Sequence, residues 1–171
     1  MNFWRKTFLW LLLVGSLSVC AHAQTASTIE GKVVGIADGD TITILDAAAR
    51  PHYVHLNGID SPESRQEFGD EARLNLAKLV FGRYVTVEYS KRDQFGRILG
   101  KVLLLTGQDV NLEQIKDGMA WYDKEAERDQ TIAERKAYAR AEQKARAKGN
   151  GLWADANPTP PWQWRGSEIA R

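Results

Sequence analysis

Three short stretches of this chain hold residue types that can do polar chemistry together. The first is Asp38-Gly39-Asp40-Thr41, the second Asp60-Ser61-Pro62-Glu63, and the third Asp93-Gln94-Phe95-Gly96-Arg97. Two carboxylates supplemented by carbonyl and water oxygens make a site for a hard cation. With no sulfur and little imidazole nearby, Ca²⁺ or Mg²⁺ suits such a set better than Zn²⁺. A fixed guanidinium beside a cation and a carboxylate is what a phosphoryl site needs, because it offers two parallel hydrogen bonds and a charge that does not titrate. Each stretch taken alone is also an ordinary turn sequence. The chemistry therefore depends on whether the fold brings them together.

The spacing of apolar residues predicts the elements that would do so. Alternation marks strands over 28–36, 41–45, 53–59, 83–89 and 98–105. Helical periodicity marks 70–81, stopped by Gly82, then 110–116, ended by Gly118, and 131–148, ended by Gly149-Asn150-Gly151. The small-residue turn Ala47-Ala48-Ala49-Arg50 joins the second and third strands. In an antiparallel hairpin centred near Ala48, opposing residue numbers sum to about 96 to 98. That register puts Ile42, Ile44, Val54 and Leu56 on one apolar face and Asp40 near Asn57, with Asp60 just beyond. The two acidic stretches then share one end of the hairpin. Five strands with a helix inserted after the third predict an α+β chain with a mainly β core, a five-stranded barrel of the oligonucleotide/oligosaccharide-binding (OB) type with three helices. The tail from Asn157, rich in Pro and Trp, reads as loop.

Composition narrows the class. Arg5 and Lys6, the apolar run from Phe8 to Val14 and Ala21-His22-Ala23 form the pattern of a secretory leader cleaved after Ala23. The expected organisation is a leader over 1–23, one domain over 24–156 and a tail over 157–171, in the periplasm or outside the cell. The leader holds two of the 23 basic residues and none of the 22 acidic ones, which leaves the mature chain at net charge −1. Bulk positive charge is excluded as the means of holding nucleic acid. The one cysteine, Cys20, lies in the leader. Disulfides, thiolate zinc sites and cysteine nucleophiles are therefore excluded from the mature chain. No later segment is apolar for long enough to span a membrane.

The acidic and basic stretches, in order with further pieces, resemble the thermonuclease family, that of staphylococcal nuclease. The matching pieces are Asp38-Gly39-Asp40-Thr41, Gly58-Ile59-Asp60-Ser61-Pro62-Glu63, Phe68-Gly69-Asp70-Glu71-Ala72, Asp93-Gln94-Phe95-Gly96-Arg97, Val110-Asn111, Gly118-Met119-Ala120-Trp121 and Gly151-Leu152-Trp153. Pro160-Pro161-Trp162-Gln163-Trp164-Arg165 resembles a tail found in some secreted bacterial members. The resemblance implies a five-stranded barrel with three helices and a Ca²⁺-dependent phosphodiesterase acting on DNA and RNA. By the same resemblance, Asp40 and Asp60 are metal carboxylates, and Ser61 offers its backbone carbonyl to the metal. Glu63 activates or positions the attacking water, and Arg97 holds the scissile phosphate. The expected substrate is single-stranded or locally open DNA or RNA, and a monomer is expected.

One family position is occupied differently. The family's second phosphate arginine lies five residues before the second metal aspartate, and here that residue is His55. With an ordinary pKa of about 6.5, an imidazole is mostly neutral near pH 8 and cannot form the guanidinium fork. Strand parity turns His55 away from Val54 and Leu56. Arg50 and Arg65 are the nearest basic residues in sequence. His55 gives rise to the competing expectation, a nuclease-fold nucleic-acid-binding protein with weak or no catalysis. Phe95 keeps a stacking surface where some members have tyrosine, and Tyr122 is a further base-stacking candidate. Trp121 is expected to wedge between helix and barrel, and Trp153 to close the last helix as core. Lys136, Arg140, Lys144, Arg146 and Lys148 read as a solvated helix face.

Overall fold

The computed structural model describes residues 27–169. The leader read over 1–23, with its cleavage site and Cys20, lies outside the described residues. In chain order the strands are β1 (Ser27–Ile36), β2 (Thr41–Leu45), β3 (Pro51–Leu56), β4 (Ile59–Asp60), β5 (Tyr84–Arg92), β6 (Ile98–Leu104) and β7 (Trp121–Tyr122). The helices are α1 (Gly69–Val80), α2 (Val110–Lys116), α3 (Ile132–Lys148) and α4 (Pro161–Ile169), with 3-10 turns at Lys124–Asp129 and Gly151–Ala154.

Five strands close into a barrel in the order β1-β2-β3-β6-β5. All neighbours are antiparallel except β3 and β6, which run parallel. This is the five-stranded OB-type barrel that the alternation predicts. Inward positions follow the period of two: Ile42 and Ile44, Val54 and Leu56, Val85 and Val87, and Ile98 and Val102 are fully buried. Each such side chain contributes about 1.5–3 kcal/mol by leaving water. Leu76 and Val80 of α1, Ile115 of α2 and Tyr138 of α3 join the same core. The helices therefore share the barrel's apolar surface.

The β2–β3 register pairs Thr41 with His55 and Ile42 with Val54, a constant sum of 96. The Asp46 side chain shapes the turn, accepting hydrogen bonds from the Ala48 and Arg50 amides at 2.9 Å each. Side chains and a glycine close three helix ends, of which the sequence reading named the Gly149 stop. Thr131 caps α3 in a capping box with Glu134, Gly149 ends it at φ 64°, and Asp109 caps α2 through the Leu112 amide.

Two expectations are corrected. The third strand does not run through residue 59: it breaks at Asn57-Gly58, where Gly58 takes φ 82°, and Ile59–Asp60 pairs instead with Trp121–Tyr122. The tail is not all loop, because Pro161 opens a nine-residue helix. Proline is favoured at a first helical position, where its missing N–H would be unpaired anyway. Trp162 then meets Trp121 edge-on at 6.2 Å, and Trp121 meets Trp153 at 5.1 Å. Trp121 and Trp153 are buried, as expected, in a second small core with Leu152 and Ala145.

Candidate functional site

Four elements carry the acidic stretches to one end of the barrel. Asp40 sits at the entrance to β2, where its carbonyl accepts the Leu56 amide at 2.8 Å. Asp60 is fixed by the two-residue ladder that pairs it with Trp121. The start of α1 packs between the two loops. A side-chain carbon on Gly39 would meet Ala72 Cβ at 2.6 Å and Ser61 Oγ at 2.7 Å, so only glycine lets the first loop approach this closely. From α2, the fully buried Gln114 donates to the Gly39 carbonyl at 2.6 Å and to the Ala72 carbonyl at 3.2 Å, and it accepts from Asn75 at 2.7 Å. Asn111 likewise ties β6 to the Asn57 loop, accepting from the Val102 amide and donating to the Asn57 and Gly100 carbonyls.

These supports shape a cleft of about 370 Å³, into which Asp38, Asp40, His55, Asp60, Ser61, Glu63, Phe95 and Arg97 all face, together with Asp123 and Arg165. Of the metal, catalytic and stacking candidates read from the sequence, Tyr122 is the one not brought to the cleft, and the basic candidates Arg50 and Arg65 do not line it either. The Tyr122 ring is buried edge-on against Tyr138 at 6.0 Å, and its hydroxyl donates to Gln130 at 3.2 Å, which leaves no face for a base. Phe95 is 74% exposed at the cleft rim, with the Arg97 guanidinium 5.6 Å above its ring.

Asp40 is nearly enclosed. Oδ2 accepts from the Ser61 amide at 2.7 Å and the Ser61 hydroxyl at 2.8 Å, and Oδ1 accepts from Thr41 Oγ1 at 3.1 Å. His55 Nδ1 lies 3.1 Å from the same Oδ1. Burial alone would raise the pKa of Asp40, but His55 and the Ser61 amide outweigh it and hold the carboxyl below the usual range. For His55 the balance is similar: burial pulls it down, Asp40 pulls it up, and the net shift is upward. His55 is therefore not the freely solvated strand residue that parity alone suggests.

The neighbouring acids carry the cost of crowding. Burial, then the charge of Asp40, pushes Asp38 up to about 7. Burial also raises Asp60, against the opposing pull of Arg165. Glu63 is more open and bonds Arg165 at 2.7 Å. Arg97 is anchored rather than free: its amide and Nε donate to the two oxygens of Asp93 at 2.9 Å and 2.6 Å. Although burial would raise Asp93, that pairing holds it below the usual carboxylate range.

Asp40 and Asp60 are oxygen donors of the type a hard cation takes, and a cation would offset the burial, and the lesser repulsion from Asp40, that raise Asp38 and Asp60. The Asp60 oxygens are spanned by Arg165, and among the described residues no three carboxylate, imidazole or thiol groups converge on one point as a formed metal cluster. The donor chemistry fits. A bound cation would share or replace the guanidinium at Asp60.

Sequence reading missed Gln114, Asp123 and Arg165. A buried glutamine in a short helix has no local signature. Asp123 follows a two-residue strand too short to show a period. Arg165 lies in the tail stretch that the resemblance includes, but nothing in its spacing places it in the cleft.

A barrel of this order with acidic loops and arginines at one end defines a nuclease-type OB fold, and comparison of the chain with known families agrees. The family described as staphylococcal nuclease homologue matches residues 53–155, and the chain belongs to it. It is 38% identical over 158 residues to an uncharacterized endonuclease of Haemophilus influenzae, covering 92% of this chain and 83% of that protein. It is 38% identical over 170 residues to Protein ParB of Escherichia coli, covering 94% and 93%. It is also 38% identical over 124 residues to the staphylococcal-like nuclease CAN1 of Arabidopsis thaliana, covering 70% of this chain and 35% of that protein.

Proposed function

We propose that the chain is a Ca²⁺-dependent nuclease that hydrolyses phosphodiester bonds of DNA, RNA or both. The observation that carries this reading is the convergence of Asp40, Asp60, Glu63 and Arg97 on one cleft, from loops separated by up to 57 positions in sequence. Asp40 and Asp60, with the Ser61 carbonyl, are the residues that would hold the cation. A hard cation there supplies charge neutralisation at a phosphate oxygen. The remaining work falls to side chains. Glu63, half-buried beside Arg165, orients a water and takes its proton. Arg97, held by Asp93, presents its outer edge to the phosphate and supports the negative charge that grows on it. Phe95 offers a stacking surface at the rim. Ser61 and Thr41 fix the Asp40 carboxylate, and Gln114 fixes the loop that carries it.

Among the described residues no helix is long and apolar enough to cross a membrane. The leader pattern over 1–23 supports a periplasmic or secreted enzyme, and mass spectrometry of the exported protein should find Gln24 at its N-terminus. The deciding experiment for activity is cleavage of denatured DNA and of RNA by purified mature chain, with Ca²⁺ and with chelator. Cleavage that chelator abolishes is expected. Tight binding of either nucleic acid without cleavage would favour the second reading, a binding protein that has lost its chemistry. One observation favours that alternative: His55, at the second arginine position, is engaged with Asp40.

A further inference from the structure

The cleft contains a guanidinium that the barrel does not supply. α4 is docked from both sides: the Gln66 side chain donates to the Thr159 carbonyl, Pro161 is buried, and Trp162 packs edge-on against Trp121. From this platform Arg165 reaches into the cleft. Its two terminal nitrogens donate to the two oxygens of Asp60 at 3.0 and 2.8 Å, and Nη1 also donates to Glu63 at 2.7 Å. Its side chain remains about half exposed, at 48%, so it can turn without unpacking the helix.

We propose that Arg165 is a ligand of the scissile phosphate, supplying from the C-terminal helix the guanidinium that β3 lacks at His55. The inference rests on the reading of the cleft as a phosphodiesterase site. Three observations support it. A guanidinium fork that spans a carboxylate matches two phosphate oxygens equally well. Arg165 lines the same cleft as Arg97 and His55. The other basic candidates are elsewhere: Arg50 is paired with Asp46 at the far turn of the hairpin, and Arg65 does not line the cleft. When Asp60 takes a cation, Arg165 gives up that partner but stays tethered by α4 beside the incoming phosphate.

The test uses the mature chain as wild type, Arg165→Ala, Arg165→Lys and the double variant Arg165→Ala with His55→Arg. Cleavage of single-stranded DNA is measured with Ca²⁺, and calorimetry measures binding of Ca²⁺ and of a nucleoside 3′,5′-bisphosphate. Arg165→Ala should lower kcat/KM by about 10²-fold, the usual scale for a lost electrostatic donor. It should also weaken bisphosphate binding about 10-fold or more. Arg165→Lys, which keeps charge and helix but loses the fork, should fall between, and His55→Arg should restore part of the loss. Faster cleavage with tighter Ca²⁺ binding in Arg165→Ala would overturn the proposal and make Arg165 a competitor of the cation. Unchanged cleavage and bisphosphate binding would also overturn it, leaving Arg165 a counter-ion only. A wild type that cleaves neither DNA nor RNA would overturn the nuclease reading, and the bisphosphate comparison would still decide this one.

Discussion

Glu63 and Arg97 act on the reacting atoms in the proposed reaction without building the fold, so their removal separates chemistry from stability. Arg97→Ala should lower turnover by roughly 10²-fold, and Glu63→Gln comparably. Both variants should unfold in urea within about 1 kcal/mol of wild type, the scale of a lost half-exposed ion pair. Near-normal rates in both would remove these residues from the mechanism. The place of Arg97 and Glu63 in the cleft was legible because they sit in turn sequences whose residue types repeat a known order. The setting of His55 was not. Strand pairing identifies Thr41 as its partner and turns it outward, but the side chain also reaches Asp40, one residue along. A period of two fixes the face on which a side chain starts, not the neighbour on which it ends.

At the scale of elements, the site depends on ties that contribute no reacting atom. Gln114→Leu would leave the buried Gly39 carbonyl without its donor and remove the tie to the Ala72 carbonyl of α1, at a cost of about 1–3 kcal/mol. Urea unfolding should show that loss, and turnover should drop with it because the Asp-Gly-Asp loop loses its anchor. A second tie is Lys101 of β6, which bonds Glu88 of β5 at 2.8 Å and Glu134 of α3 at 2.7 Å. Burial opposes the charged form of both Lys101 and Glu134, but the pairing wins, raising Lys101 to about 12 and lowering Glu134. The lowered carboxyl contributes stability above its ordinary pKa of 4.5, lost as pH falls through its folded value. The raised amine contributes stability below 10.5, lost as pH rises through about 12. The advantage of wild type over Lys101→Met, on the order of 1 kcal/mol after solvent screening, should be flat between those limits and shrink outside them. Thermal unfolding across that pH range checks it. The barrel strands and α1 to α3 were legible because each is long enough to show a period and carries a cap or stop. β4 and β7 are two residues each and show none. α4 was hidden because proline and tryptophan signal loop as readily as a first turn.

The whole molecule carries almost no net charge once the predicted leader is removed, although the family acts on a polyanion. Five carboxylates line the cleft, at Asp38, Asp40, Asp60, Glu63 and Asp123, against two guanidiniums and one imidazole. Long-range attraction therefore contributes little to substrate capture, and the proposed function assigns binding to close contacts inside the cleft and to stacking at its rim. The near-neutral balance was fully legible in composition. That the cleft itself is acidic was not, because it depends on which loops meet. Salt dependence measures the consequence. Each phosphate neutralised on a single strand contributes about −0.7 to the slope of log K against log salt. If Arg97 and Arg165 are the two cations that touch phosphate, the slope should be about −1.4. The affinity of Glu63→Gln for a single-stranded oligonucleotide, titrated between about 50 and 200 mM salt at fixed Ca²⁺, gives that slope. A slope steeper than about −3 would mean that at least two more cations take part. The basic face of α3 would then be engaged, and Arg140→Glu with Lys144→Glu should return the slope to the smaller value. A slope near the smaller value, unchanged by those two reversals, would confine substrate electrostatics to the two arginines of the cleft.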